Sequence, residues 1–358
     1  MRKEDLVYRD AVAKSPGSDF PKLAGVSMAP AAGSVPGQME FTGPGGRARR
    51  LRISRKSNVG DFVFKHLTLL FALLVFFIVF LMAYEMASGS GLSLRTFGWN
   101  FLRSTTWDPV QDQYGALPFL FGTVVSSIAA LVIAVPFGIA VSILLAELLP
   151  RWLEGPMSFI IELLAAIPSI VYGLWGIFVL VPWLRTTVEP ALGRSLGFLP
   201  VFSGPPYGFG MLAAGILLAI MILPIIISIS RDILKSIPSA QREAALALGA
   251  TRWETTRIIL SGARSGVLGA ALLGLGRAIG ETMAVTMVIG NRPDISASLF
   301  NPAYSLASVL ANEFSEATSQ LQVSALVEIA LLLFAITVVL NGLARLIVWS
   351  VTRRFRTV

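Results

Sequence analysis

Ser239-Ala-Gln-Arg-Glu-Ala-Ala-Leu-Ala-Leu-Gly-Ala-Thr-Arg-Trp-Glu254 reads as a helical hairpin. Pro238 and Ser239 form a helix start, and Glu243 to Leu248 are good helix formers. Gly249 can take the left-handed conformation that ends a helix. Thr251 and Glu254 have capping-box spacing, which opens a second helix. That second helix runs directly into an apolar stretch, so the hairpin is a small helical knob at a membrane surface. Two readings of the knob stand open from the residues alone. Glu243, Ala244 and Ala245 allow a charged, close approach to another protein; alternatively the unit is an amphipathic connector lying on lipid.

Outward from the hairpin the chain is dominated by apolar runs. Of its 358 residues, 54% are hydrophobic and only 14% charged, well below the quarter usual for soluble domains. Six segments are long enough to cross a bilayer core of about 30 Å. They run roughly Phe62–Ala87, Leu117–Ala146 (with Pro136 inside), Ile160–Leu184 (with Pro168 and Pro182), Gly208–Ser230 (with Pro224), Ser265–Gly290 and Ala325–Ser350. In lipid, backbone groups must be satisfied internally, so helices are expected and the fold class is an all-α membrane protein with six transmembrane helices. Segment one is too long and too far from residue 1 for a cleaved signal peptide and reads as a retained anchor.

Charge sets the expected orientation. The net charge is +8, and the positive residues sit in short patches beside apolar runs, which favours lipid headgroups over nucleic acid. One patch is Arg47, Arg49, Arg50, Arg52, Arg55 and Lys56. Another is Arg231, Lys235, Arg242, Arg252, Arg257 and Arg264; Arg151 and the terminal Arg353, Arg354 and Arg356 complete the set. An even number of crossings puts all of these on one side, which the positive-inside rule makes cytoplasmic, with both termini. Trp99, Trp107 and Trp183 then mark the outer interface and Trp349 the inner one. The expected organisation is a disordered tail over 1–60, an anchor helix over 61–90, an outer loop over 91–116, and a transmembrane domain over 117–358 that carries the hairpin within 231–262. The chain has no cysteine, and its one histidine, His66, has no metal-ligand companions, so no metal or cofactor is expected.

Segment five holds Gly274-Leu-Gly-Arg-Ala-Ile-Gly-Glu-Thr-Met-Ala-Val285. Arg277 and Glu281 are four apart and are expected on one helix face. Arg277 lies thirteen residues past Arg264, about 20 Å along a helix and too far for snorkelling. A charge placed there costs several kcal/mol unless it meets a partner or a wet pathway. Either the pair neutralises itself and pins packing, or Arg277 attracts an anion while Glu281 holds the guanidinium and tunes it. Arginine suits an oxyanion because its planar donors match two oxygens. Gly276 and Gly280, with Gly266, Ala270 and Gly274, predict close packing on another helix. No G-x-x-x-x-G-K-[ST] loop occurs, so ATP hydrolysis, if used, must come from another chain.

Glu243, Ala244, Ala245 and Gly249, followed by Ile259, resemble the EAA loop of ABC-importer permeases, the coupling helix that sits in a cleft of the ATPase subunit. The family pattern closes with Leu-Pro, where this chain has Ser261 and Gly262, which implies a different exit angle. Gly276 to Val285, Thr106-Trp-Asp-Pro-Val-Gln-Asp-Gln-Tyr-Gly115 and Ala165-Ala-Ile-Pro-Ser-Ile-Val-Tyr-Gly-Leu-Trp-Gly176 are similar to the PstC family of phosphate-importer permeases, over residues 60 to the end. The resemblance implies a MetI-like core, phosphate as substrate and no catalysis by this chain. The implied partners are a PstA-like permease, a PstB-like ATPase dimer, a PstS-like phosphate-binding protein and membrane lipid. It places Arg277 and Glu281 on the substrate pathway. A permease for phosphonate, sulfate or molybdate remains an alternative. So does an ion-coupled carrier, although no convincing inverted repeat is visible. A membrane anchor without a transport role is a third rival, opposed by the central Arg277.

Overall fold

The computed structural model describes residues 40–41, 49–50 and 59–353. The tail expected to be disordered, with Arg47, Arg52, Arg55 and Lys56, lies outside the described residues, as do Arg354 and Arg356. Within the tail, only an antiparallel pairing of β1 (Glu40–Phe41) with β2 (Arg49–Arg50) is described. Two units are distinguished, Met1–Val75 and Phe76–Val358.

The remaining named elements are helices joined by loops, and six helices are long and apolar enough to span a membrane. α1 (Val59–Gly89) carries its first unit's share as a helix exposed from Phe62 onward, and every residue up to Met82 is exposed. An apolar helix with no polar face is solvated by lipid, as an anchor requires. The second unit continues with α2 (Gly91–Phe97), α3 (Leu117–Leu148, ending in a π-turn) and α4 (Arg151–Ala166). Next come α5 (Ser169–Leu196), α6 (Met211–Ser236), α7 (Ser239–Ala247) and α8 (Arg252–Gly280). α9 (Met283–Val288), α10 (Leu306–Glu313) and α11 (Gln320–Arg353) close the chain.

α6 is the axial helix, with Leu217, Ile222 and Ile226 fully buried. Lipid tails are as apolar as leucine, so close contact rather than water exclusion must hold it. Small residues supply that contact. A Cβ at Gly138 of α3 would stand 2.7 Å from Ile226, and one at Gly266 of α8 2.7 Å from Ile233. Ala270 is fully buried on the same face of α8, and Gly274 meets Ile226 and Ile222. The four-residue small stripe therefore packs within the chain. Gly276 and Gly280 do not: the first only approaches Asn341, and nothing lies near the second.

Two expected segments are re-cut by backbone chemistry. The third crossing starts at Ser169, not near Ile160, and extends to Leu196. Pro168 has no N–H, and it drives Ile167 into extended geometry (ψ 128°). Residues before the break form α4, an amphipathic helix whose Glu154 and Glu162 pair with Lys235 and Arg231 of α6. The fifth crossing is broken after Gly280, as described below.

At the end of the second unit opposite the hairpin, a small lobe packs Phe101, Tyr114, Phe119 and Tyr304 beneath α10. Trp107 does not mark a lipid interface. Its ring meets Tyr114 and Phe119 edge-on, each at 4.9 Å, and its Nε1 donates to Glu313 Oε2 at 2.8 Å. Trp99 and Trp183 are exposed. Burial pushes the Glu313 carboxyl above its ordinary range, against the opposing hydrogen bond from Trp107. A raised carboxyl pKa means that the folded lobe binds its proton more tightly than the unfolded chain does. Its ionisation therefore costs stability at neutral pH, and that cost is relieved as pH falls through the raised pKa toward the unfolded one. Glu313→Gln, which keeps an acceptor for Trp107, is expected to raise the thermal midpoint slightly at pH 7 and to show no advantage at acidic pH. Melting curves of the two proteins across that range check it.

Candidate translocation site and coupling hairpin

The hairpin forms as its sequence predicts. α7 ends in a Schellman arrangement: Gly249 N–H donates to Leu246 O at 3.0 Å and Ala250 N–H to Ala245 O at 3.1 Å. Gly249 has φ +84°, and no atom lies within 4 Å of where its Cβ would be. Backbone geometry, not crowding, therefore demands glycine. Gly249→Ala is expected to destabilise the turn by about 1–2 kcal/mol, read as faster amide exchange confined to residues 244–252. The capping box is present at both ends: Glu254 N–H donates to Thr251 Oγ1 at 3.3 Å, and Thr251 N–H to Glu254 Oε2 at 2.8 Å.

On this knob Glu243 and Ala244 face outward, whereas Ala245 is buried beneath them. Leu248 at the tip is 90% exposed and Trp253 72%. An open cleft of about 620 Å³ beside the tip is lined by Leu248, Gly249, Glu254 and Arg257. Charged and apolar groups thus crown one protrusion, a surface that a protein partner can cover. Ser261 and Gly262 sit inside an unbroken α8.

The expected shared face of Arg277 and Glu281 is not formed. α8 stops at Gly280, and Glu281 takes extended geometry (ψ 124°). Its Oε1 accepts from Ala284 N at 3.5 Å, capping the short α9. The break leaves the Glu281 carboxylate beside the first turn of α9 and not stacked one turn beyond Arg277. Among the described residues Arg277 makes no ion pair or hydrogen bond, with Glu281 or any other group, and it is exposed. Glu281 is half-buried.

The depth of Arg277 follows from its neighbours. Gly210 N–H, at the start of α6, donates to Val288 O at 3.0 Å. Gly274 packs beside Ile222 and Ile226 of α6, which lie eleven and fifteen residues past Met211, or about 16–22 Å at 1.5 Å per residue. Arg277 is three residues nearer that end, so its backbone lies on the order of 12–18 Å below it. That is near the middle of a 26-residue helix.

The second break, at Pro168, lies against the first. A Cβ at Gly173 of α5 would stand 3.2 Å from Ala284 Cα, so α5 and α9 touch just beyond their breaks. Tyr172 is within electrostatic reach of Arg277, and its hydroxyl donates to Leu164 O across the Pro168 break at 2.7 Å. Sequence reading singled out neither Tyr172 nor the pairing of the two breaks. It also counted Arg242 only as one more basic residue, although the guanidinium is bound to Glu147 of α3. That hydrogen bonding raises the Arg242 pKa further above its already high ordinary value.

Residues 138–356 match the family described as binding-protein-dependent transport system inner membrane component. The chain is 44% identical over 316 residues to the phosphate transport system permease protein PstC of Mesorhizobium japonicum, covering 87% of this chain and 97% of that one. It is 49% identical over 291 residues to PstC of Haemophilus influenzae, covering 80% and 92%. Among solved structures, a chain of the inward-facing MetNI methionine ABC transporter superposes with a TM-score of 0.50 at 19% identity, over 69% of this chain and 99% of that one. That likeness concerns the fold alone, and it supports a MetI-like arrangement of the helices. With six membrane-spanning helices, a hairpin of this kind and kinship along nearly its whole length, the chain belongs to the binding-protein-dependent inner-membrane permeases, in their PstC family.

Proposed function

We propose that the chain is the phosphate-translocating permease subunit of an ATP-driven importer in the bacterial inner membrane, and that Arg277 lies on the path of the anion. The observation that carries this reading is the exposed guanidinium near mid-membrane with no ion pair among the described residues, in a chain whose near-full-length relatives are named phosphate permeases. A membrane-embedded arginine is too costly to leave facing lipid. Its exposed side in the single chain is therefore the side turned to a second permease subunit and to the cavity between the two, where water and substrate reach it.

The hairpin end is cytoplasmic, because it carries Arg231, Lys235, Arg242, Arg252 and Arg257. The lobe holding Trp107 and Glu313 is external and receives a PstS-like binding protein. Released phosphate meets Arg277, whose planar donors pair two oxygens of the anion. Glu281, capping α9 beside the break, contributes a negative field that keeps the dwell time short. The breaks at Pro168 and Glu281 give two spans a place to bend as access alternates. This chain hydrolyses nothing. A PstB-like ATPase dimer grips Glu243, Ala244, Ala245 and the Gly249 turn, and a PstA-like subunit completes the pore. By the same reading, residues 1–60 are a cytoplasmic tail, 61–90 an anchor, 91–116 external, and 117–358 the transmembrane domain with its coupling loop over 231–262.

Uptake of labelled phosphate into proteoliposomes containing the whole complex tests this. Saturable, ATP-dependent uptake that excess sulfate, molybdate or phosphonate fails to inhibit is expected. Strong inhibition by one of those anions would reassign the substrate, and uptake without ATPase subunits would make the chain an autonomous carrier.

A further inference from the structure

We infer that Arg242 is the positioning residue that carries motion from the hairpin into two membrane helices at once; this rests on the reading of the hairpin as the ATPase contact. The hairpin is joined to α6 through Ile237 and Pro238, both extended (ψ 128° and 138°). Helical hydrogen bonding is interrupted at these two residues, so α7 is not a rigid continuation of α6. Arg242 bridges the joint. Its Nε donates to Glu147 Oε1 and Oε2 at 3.2 and 3.1 Å, and its Nη2 to Oε1 at 2.6 Å. Its remaining donors reach back to the end of α6: Nη1 to Ile237 O and Nη2 to Leu234 O, each at 3.1 Å.

One side chain thus ties α7 to the last turn of α3 and to two carbonyls at the C-terminal end of α6, of which Leu234 O also accepts from Ile237 N–H at 3.4 Å. A cation there is favoured by the helix dipole. Of the neighbouring links, Lys235–Glu154 joins α6 to α4 and does not reach the hairpin, and Arg231–Glu162 is weaker. Arg231 and Glu162 are 3.6 Å apart, with the glutamate 57% exposed, and exposed pairs of that kind contribute little. Glu147 is only 11% exposed and Arg242 25%, and their contact is forked. Only a guanidinium can serve one carboxylate and two carbonyls together; a lysine ammonium cannot span them.

The α3–α6 pair packs closely in the transmembrane core: Gly138 stands on Ile226, and Gly215 on Ala129. Displacement of the clamp therefore moves these helices as a block. Arg277 rides on α8, which packs on α6 through Gly266 and Gly274, so the block connects hairpin movement to the site.

The test uses the reconstituted complex carrying Arg242→Lys, the isosteric Glu147→Gln, or both. Three quantities are read: ATPase subunit retained on the purified complex, ATP hydrolysed, and phosphate imported per ATP. Expected are normal retention, hydrolysis within about two-fold of wild type, and at least five-fold less phosphate per ATP in each single variant. The double variant should be no worse than the worse single, because the two residues act as one unit. Unchanged phosphate per ATP in both singles overturns the clamp, as does loss of the ATPase from both, which would make the pair a docking element. Glu243→Lys, measured alongside, reads docking separately: if it retains a coupled ATPase, the hairpin reading fails independently of the clamp.

Discussion

Arg277→Gln is expected to abolish phosphate uptake while leaving the complex assembled and the ATPase bound. Glutamine keeps a hydrogen-bonding amide, on a shorter side chain, but removes the charge. A charge-assisted, bidentate contact with an oxyanion is about twice as strong as a neutral one, and in a low-dielectric pathway the loss is not screened as it would be in water. A loss of about 3 kcal/mol corresponds to a drop on the order of 100-fold. Assembly should survive because Arg277 makes no ion pair or hydrogen bond among the described residues of its own chain. Removing a costly membrane-embedded charge eases insertion of the helix. Co-purification of the subunits together with uptake in the same preparation checks both halves. Normal uptake would reduce Arg277 to a packing feature. Arg277→Lys should fall between the two, since an ammonium preserves the charge but not the planar fork.

Glu243→Lys should uncouple or release the ATPase with similar severity, through a different step. Glu243 is exposed on α7 next to exposed Ala244, and Leu248 and Trp253 supply an uncovered apolar surface beside it. Reversing one charge at a complementary interface replaces an attraction by a repulsion, which costs several kcal/mol. Phosphate uptake is expected to fall by at least ten-fold, with ATPase subunit lost from the purified complex or hydrolysing without transport. Folding of the hairpin should be unaffected, because it rests on Gly249 and the Thr251–Glu254 capping box.

The hairpin is legible in the sequence because the devices that build it are local: Gly249, Thr251 and Glu254 act within one turn of themselves. The six spans were equally legible from hydropathy. The third lost its expected start because Pro168 outweighs an apolar run that continues through it. The α8 break was hidden because Glu281 followed Arg277 at helical spacing, and only its bond to Ala284 shows the carboxylate capping α9 instead. Trp107 was misplaced for a related reason: a tryptophan in a loop beside a span looks interfacial until Glu313 claims its N–H. The Arg242–Glu147 clamp joins residues 95 positions apart, and no local pattern encodes such a pairing. Arg277 itself was conspicuous, since one charge in a long apolar segment needs no tertiary information to stand out.

The chain contains no cysteine, which makes a charge-rescue measurement possible. Arg277→Cys in the assembled importer should be inactive. Modification with an aminoethyl thiosulfonate reagent, which restores a positive charge on a short stem, should return measurable phosphate uptake. The sulfonatoethyl reagent, of similar size and negative, should not. If Arg277→Cys transports normally, or if both reagents restore uptake equally, then a cation near mid-membrane is not what draws phosphate through this protein.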